Sequence, residues 1–86
     1  MKLEEITPHL NKIVKLNLKN NRRKIGWLYI DFYHRISQEP INEVHCVNVR
    51  QGKKFILRDE EIDFESVLRY SEVIPIDDIF NIRSSI

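Results

Sequence analysis

IVKLNLKNNRRKIGWLYIDF, residues 13–32, decides how this chain is read. Val14, Leu16 and Leu18 alternate with Lys15, Asn17 and Lys19, the period of two that marks a half-buried strand. Asn20-Asn21-Arg22-Arg23 is a polar turn in which Asn21 can take positive φ at low cost, and Ile25 to Phe32 returns as a second strand. The pattern predicts a hairpin with Leu18 opposite Gly26, Leu16 opposite Leu28 and Val14 opposite Ile30, because a slip of one residue would invert every side chain. Its outer face then carries Asn17 opposite Trp27 and Lys15 opposite Tyr29. Gly26, inside a strand, packs nothing itself and implies a sharp bend or the close approach of another backbone.

Before the hairpin, Leu3, Ile6 and Leu10 have helical spacing, but Pro8 interrupts it. Thr7 as N-cap with Pro8 at the first helical position predicts a short N-terminal turn of helix. After it, residues 33–43 are rich in turn formers (Ser37, Gln38, Pro40, Asn42) and read as a loop. Val44 to Val49 and Lys54 to Leu57 read as β-rich runs joined by Arg50-Gln51-Gly52-Lys53 in a second hairpin. Between Asp59 and Tyr70, Phe64, Val67, Leu68 and Ser71 recur at helical spacing behind an acidic first turn, which predicts a short helix. Val73 to Ile82 reads as a strand, a 3₁₀ break after Pro75 and a final strand.

The run Val14-x-Leu16-x-Leu18-Lys19-Asn20-Asn21, with Gly26-x-Leu28 four residues on, is similar to the first motif of the Sm-like family. Ile74-Pro75-Ile76-Asp77-Asp78-Ile79-x-x-Ile82 resembles the spacing of the second. The resemblance implies a mainly β fold: a small, strongly bent, five-stranded SH3-like or Sm-like barrel with a short N-terminal helix and a short inserted helix before the last two strands. It implies the barrel without the family's base pocket. Phe32 stands where that pocket has its Asp, with Asp31 one residue early, and Pro75-Ile76 replaces its Arg-Gly.

At 86 residues, with no repeat, low-complexity tract or linker, residues 1–86 form one expected domain. A core this small buries a modest share of its surface, which leaves homo-oligomerisation open. One cysteine, Cys46, cannot form an internal disulfide, and no apolar run is long enough for a membrane span or signal core, so a cytoplasmic protein is expected. Net charge is +1, but residues 1–58 hold twelve Lys or Arg against five acids, +7, and residues 59–86 hold two against eight, −6. Folding can bring the two halves together to neutralise each other across the surface.

Basic residues beside aromatics are the chemistry that holds single-stranded nucleic acid, the cations on phosphates and the rings on unpaired bases. Lys15, Lys19, Arg22, Arg23, Lys24, Trp27, Tyr29 and Tyr33 are the candidates, with RNA the expected partner. The competing reading has Trp27 and Tyr29 packed beneath the inserted helix or against a neighbouring subunit, with Lys15 lying over Tyr29 as a cross-strand cation–π pair. A second function class, a protein-interaction module, would dock through a barrel edge or the acidic 59–72 segment, with Glu60, Glu61, Phe64 and Leu68 as contacts. His45 and Cys46 are adjacent and point to opposite faces, so they do not make a metal pair. The acids near 59–65 suit a helix N-terminus better than paired catalytic carboxylates, and no nucleophile elbow or phosphate-binding Gly loop is present. A non-enzymatic protein without cofactor or metal is expected.

Overall fold

A computed structural model of the chain describes residues 1–32, 39–57 and 63–85. Their elements run α1 (Leu3–Ile6), β1 (Ile13–Leu18), β2 (Arg23–Tyr29), β3 (Glu43–Val47), α2 (Val49–Leu57), α3 (Phe64–Tyr70), β4 (Ser71–Pro75) and β5 (Ile79–Ser84). The strands form one antiparallel sheet in the order β4-β3-β2-β1-β5. β4 and β5 lie at its two ends, so the expected barrel is not closed.

The β1–β2 hairpin forms in a tighter register than its sequence pattern suggests. Val14 pairs with Gly26, Lys15 with Ile25, Leu16 with Lys24 and Asn17 with Arg23. Three residues, Lys19–Asn21, make the turn as a 3₁₀ segment, and the Leu18 amide donates to the Arg22 carbonyl at 2.8 Å. Asn20 and Asn21 both adopt positive φ, 61° and 59°, which shortens the loop and moves the pairing by an even number of residues. An even shift preserves which side chains share a face. At the N-terminus the helix begins at Leu3 rather than after Thr7, and Pro8 sits inside the 3₁₀ turn Thr7–His9 that continues it.

The even-numbered face of the hairpin supplies the main core. Val14, Leu16, Leu18, Leu28 and Ile30 pack with Val44, Cys46, Ile74, Ile76, Ile79 and Ile82, and Ile6 of α1 closes over them. Cys46 is buried there, and burial pushes its thiol up to about 11. Gly26 has the close-approach role its position implies, since a Cβ on it would run into the Val47 carbonyl oxygen and the Cys46 sulfur.

The odd-numbered face carries a second core made by a helix where the sequence suggested a hairpin. Val49–Leu57 is α2, which overturns the turn at Arg50–Lys53 and the strand at Lys54–Leu57. Its buried residues Gly52 and Phe55 are one turn apart and face Trp27, which is 1% exposed. A Cβ on Gly52 would stand 2.5 Å from Trp27 Cβ. Gly52 is therefore a helix glycine that permits contact. Its propensity deficit of about 1 kcal/mol is smaller than the roughly 3–5 kcal/mol at stake when a buried indole loses its packing. Trp27 stacks on Tyr29 with ring centroids 5.5 Å apart.

Phe64 of α3 then meets Tyr29 and, edge-on, His45, and Val67 completes the cluster. Asp63 caps α3, its Oδ1 accepting from the Glu65 amide at 3.2 Å. The helix expected between 59 and 70 is present from Phe64, and residues 59–62 lie outside the described residues. The strand, 3₁₀ turn and strand expected at the C-terminal end appear as β4, Ile76–Asp78 and β5.

Two measurements check this packing. Gly52→Ala improves helix propensity yet lowers the thermal midpoint, by about 1–3 kcal/mol of stability, because the added methyl must displace Trp27; a raised midpoint would contradict the contact. His45 is held below its ordinary pKa of 6.5, chiefly because burial withdraws it from water, with Glu43 and Asp31 opposing. The unfolded chain then takes up the proton first, so the stability His45 contributes is complete above about 6.5 and declines as pH falls below it. Across pH 7.5 to 5 the midpoint should fall more steeply for the native chain than for His45→Gln, and parallel curves would contradict it.

Candidate functional site

The sheet register sorts the basic residues of the first hairpin into two groups. Arg22 and Lys24 lie on the core side of the sheet at its rim, where β2 approaches β4. Arg22 Nη2 is 3.0 Å from Glu72 Oε1, and Lys24 Nζ is 2.6 Å from Glu72 Oε2. The two cations hold the Glu72 carboxyl below its usual range, Lys24 most strongly. Lys19, in the turn, reaches Asp78 at 3.1 Å. All three pairs join the basic first part of the chain to its acidic last part, so these cations neutralise acids of the same chain.

Lys15 and Arg23 point the other way, onto the outer face. On β1 and β5, Lys15 stands directly opposite Arg83, and Asn17 stands opposite Asn81. On β1 and β2, Lys15 is opposite Ile25, and Asn17 is opposite Arg23. Two rows therefore cross the three strands: Ile25-Lys15-Arg83 and Arg23-Asn17-Asn81. Neither contains an acid. Lys15, Arg23 and Arg83 are exposed, and among the described residues none has an ion pair.

A register shift between Asn17 and Leu18 inserts Phe80 as an extra residue of β5, leaving its ring 67% exposed beside the Asn81 row. Helices α2 and α3 pack on β2, β3, β4 and, at Ile13, the start of β1, and among the described residues Lys15, Arg23, Asn81 and Arg83 stay exposed beyond them.

The aromatic half of the expected site is elsewhere. Trp27 is buried beneath α2 and Tyr29 is half-buried between Trp27 and Phe64, so neither presents an open ring face. This corrects the exposed outer face expected for them: the face exists, but helices cover that end of it. Tyr33, Glu60 and Glu61 lie outside the described residues. Phe64 is packed against Tyr29 and His45, whereas Leu68, next to the buried Val67, is 50% exposed.

Sequence reasoning missed Arg83 and Phe80. No local pattern marks them, because their place beside Lys15 and Asn17 depends on pairing between the first and last strands. His45 and Cys46 do fall on opposite faces, one in each core region. No described helix is long and apolar enough to cross a membrane.

Comparison of the chain with protein-family models, with curated proteins and with solved structures finds no match.

Glu72 forms two partly exposed ion pairs, and partly exposed pairs contribute little. Glu72→Gln should cost about 0.5–1 kcal/mol in urea denaturation at low salt and less at high salt. A loss of several kcal/mol that salt does not diminish would mean that Glu72 has a role beyond charge pairing.

Proposed function

We propose that this chain is a non-enzymatic binding module that holds single-stranded nucleic acid, RNA foremost, on the outer face of β2, β1 and β5. The observation that carries the reading is the Lys15–Arg83 cross-strand pair, with Arg23 in the adjacent row. Like charges directly opposite each other on a sheet oppose folding. A polyanion laid across them turns that repulsion into attraction, and phosphate neutralisation with counterion release drives such binding. Asn17 and Asn81 offer amides to phosphate or sugar oxygens between the cations, and Phe80 offers a ring for a stacked base.

The Sm-like reading concerns the scaffold alone, since Phe32 and Pro75-Ile76 stand where that family's base pocket would be. An N-terminal helix, the order β4-β3-β2-β1-β5 and a 3₁₀ turn joining the last two strands agree with the plan the two sequence motifs suggested. The nucleic-acid contacts are then Lys15, Arg23 and Arg83 in place of the larger set expected from the first hairpin alone. Lys19, Arg22 and Lys24 act mainly within the molecule, and Trp27 and Tyr29 support the face from its covered end.

A second reading, docking onto a protein partner, is favoured by Ile56 and Leu57 of α2 and Leu68 of α3, which are 51%, 84% and 50% exposed.

Fluorescence anisotropy with labelled single-stranded RNA and DNA across a salt series tests the first reading. Lys15→Ala, Arg23→Ala and Arg83→Ala should each weaken binding and lower the salt slope by about 1, uniformly across base sequences. Lys24→Ala should have a smaller effect. Binding that ignores both salt and the three substitutions, or no binding, would overturn it.

A further inference from the structure

On the outer face Asn17 and Asn81 stand directly opposite each other on β1 and β5. Asparagine is among the poorer strand residues, because its short amide competes for backbone hydrogen bonds and leaves little to pack on the pleat. Threonine would serve the sheet better at both places. Asn81 is exposed and Asn17 half-buried, and among the described residues neither side-chain amide has a hydrogen-bond partner.

Two other features that do little for the sheet adjoin this pair. Lys15 and Arg83 lie two residues along the same strands, roughly 7 Å away on the same face, and oppose each other as like charges. The register shift beyond Asn17 holds the Phe80 ring 67% exposed beside Asn81. Residues that work against local structure gather at functional sites, where a ligand makes use of them. Along the face the three features run in the order of a nucleotide's parts: cations for the phosphate, then amides, then a ring for the base.

We infer that Asn17 and Asn81 hold the ribose 2′-hydroxyl and so make this face select RNA over DNA. The inference rests on the nucleic-acid reading above and adds the pair that decides which nucleic acid is held. The sugar joins phosphate to base, so a strand with its phosphate on Lys15 and Arg83 and its base on Phe80 carries its ribose over the two amides. Arg23, next to Asn17 in the same row, meets the following phosphate, which fixes the ribose from both sides. An amide has both donor and acceptor, and so does the 2′-hydroxyl, the group by which a protein tells RNA from DNA. Two amides side by side can donate to it and accept from it whichever way each is turned.

The test is fluorescence anisotropy of the full chain with oligocytidylate, its 2′-deoxy counterpart and its 2′-O-methyl counterpart, equal in length and base so that only the sugar differs. The ribose form should bind roughly three- to tenfold more tightly than either of the others, the worth of one or two hydrogen bonds. Asn17→Ala and Asn81→Ala should each weaken it roughly threefold and together bring it to the affinity of the deoxy form. Affinity for the deoxy form and the salt slope should stay unchanged in these variants, whereas a merely structural role would weaken all three oligonucleotides together. Lys15→Ala should weaken all three alike. Asn81→Thr, which suits a strand and keeps a hydroxyl donor and acceptor, should retain part of the preference.

The two readings fail differently. No binding of any oligonucleotide would overturn the nucleic-acid reading and this inference with it. Salt-dependent binding with equal affinity for the ribose and deoxy forms would overturn this inference alone. So would equal binding of the 2′-O-methyl form, or a ribose preference that survives both asparagine substitutions.

Discussion

The contact between Gly52 and Trp27 organises one side of the molecule. A nine-residue helix is too short to be stable in water by itself and takes its stability from what it covers. Here it covers an indole, and only a glycine lets the two backbones come close enough for Phe55 to pack beside the ring. With α2 seated there, Tyr29 is held between Trp27 and Phe64, α3 finds its place against β3 and β4, and the outer face is divided. One part becomes a second core, and the other is left to water.

That division gives the alternation of β1 and β2 a chemical consequence. Six neighbouring positions carry Lys19, Arg22, Arg23, Lys24, Lys15 and, from the far end of the chain, Arg83, yet they have two different roles. Arg22 and Lys24, on the core side of the sheet, meet Glu72 at the rim, where they help hold β2 to β4, and Lys19 in the turn meets Asp78. Lys15, Arg23 and Arg83, on the other side, meet no acid among the described residues. A one-residue change of register would exchange the two sets, placing Lys15 in the core and Arg22 outside. The hydrophobic residues between the cations prevent this, because Val14, Leu16 and Leu18 would then face water.

Much of the fold was legible because its signals are local. The period of two in residues 13–18, the paired asparagines of the turn, the helical spacing of Phe64, Val67 and Leu68 and the proline before the last 3₁₀ turn all determine structure within a few residues. Helix α2 was not legible for the same reason. Val47 and Val49 favour strand, Arg50-Gln51-Gly52-Lys53 has the composition of a turn, and Phe55-Ile56-Leu57 is apolar enough for either state. What decides it is Trp27, more than twenty residues away. The hairpin register was misjudged because an even shift leaves the hydrophobic faces unchanged, so only the turn geometry distinguishes the alternatives. The candidate site divides similarly. Lys15 and Arg23 could be named from the sequence, while Arg83 and Phe80 become neighbours only through pairing between the chain's first and last strands.

Trp27 is also the only tryptophan in the chain. Its indole N–H is buried with no hydrogen-bond partner among the described residues, and its ring lies against Tyr29 and Phe55. A fluorophore in such dry surroundings emits at shorter wavelength than one in water, and it accepts energy from the stacked tyrosine only while the two remain in contact. The residue that anchors α2 therefore serves as an intrinsic optical probe of that helix, able to distinguish its detachment from unfolding of the sheet.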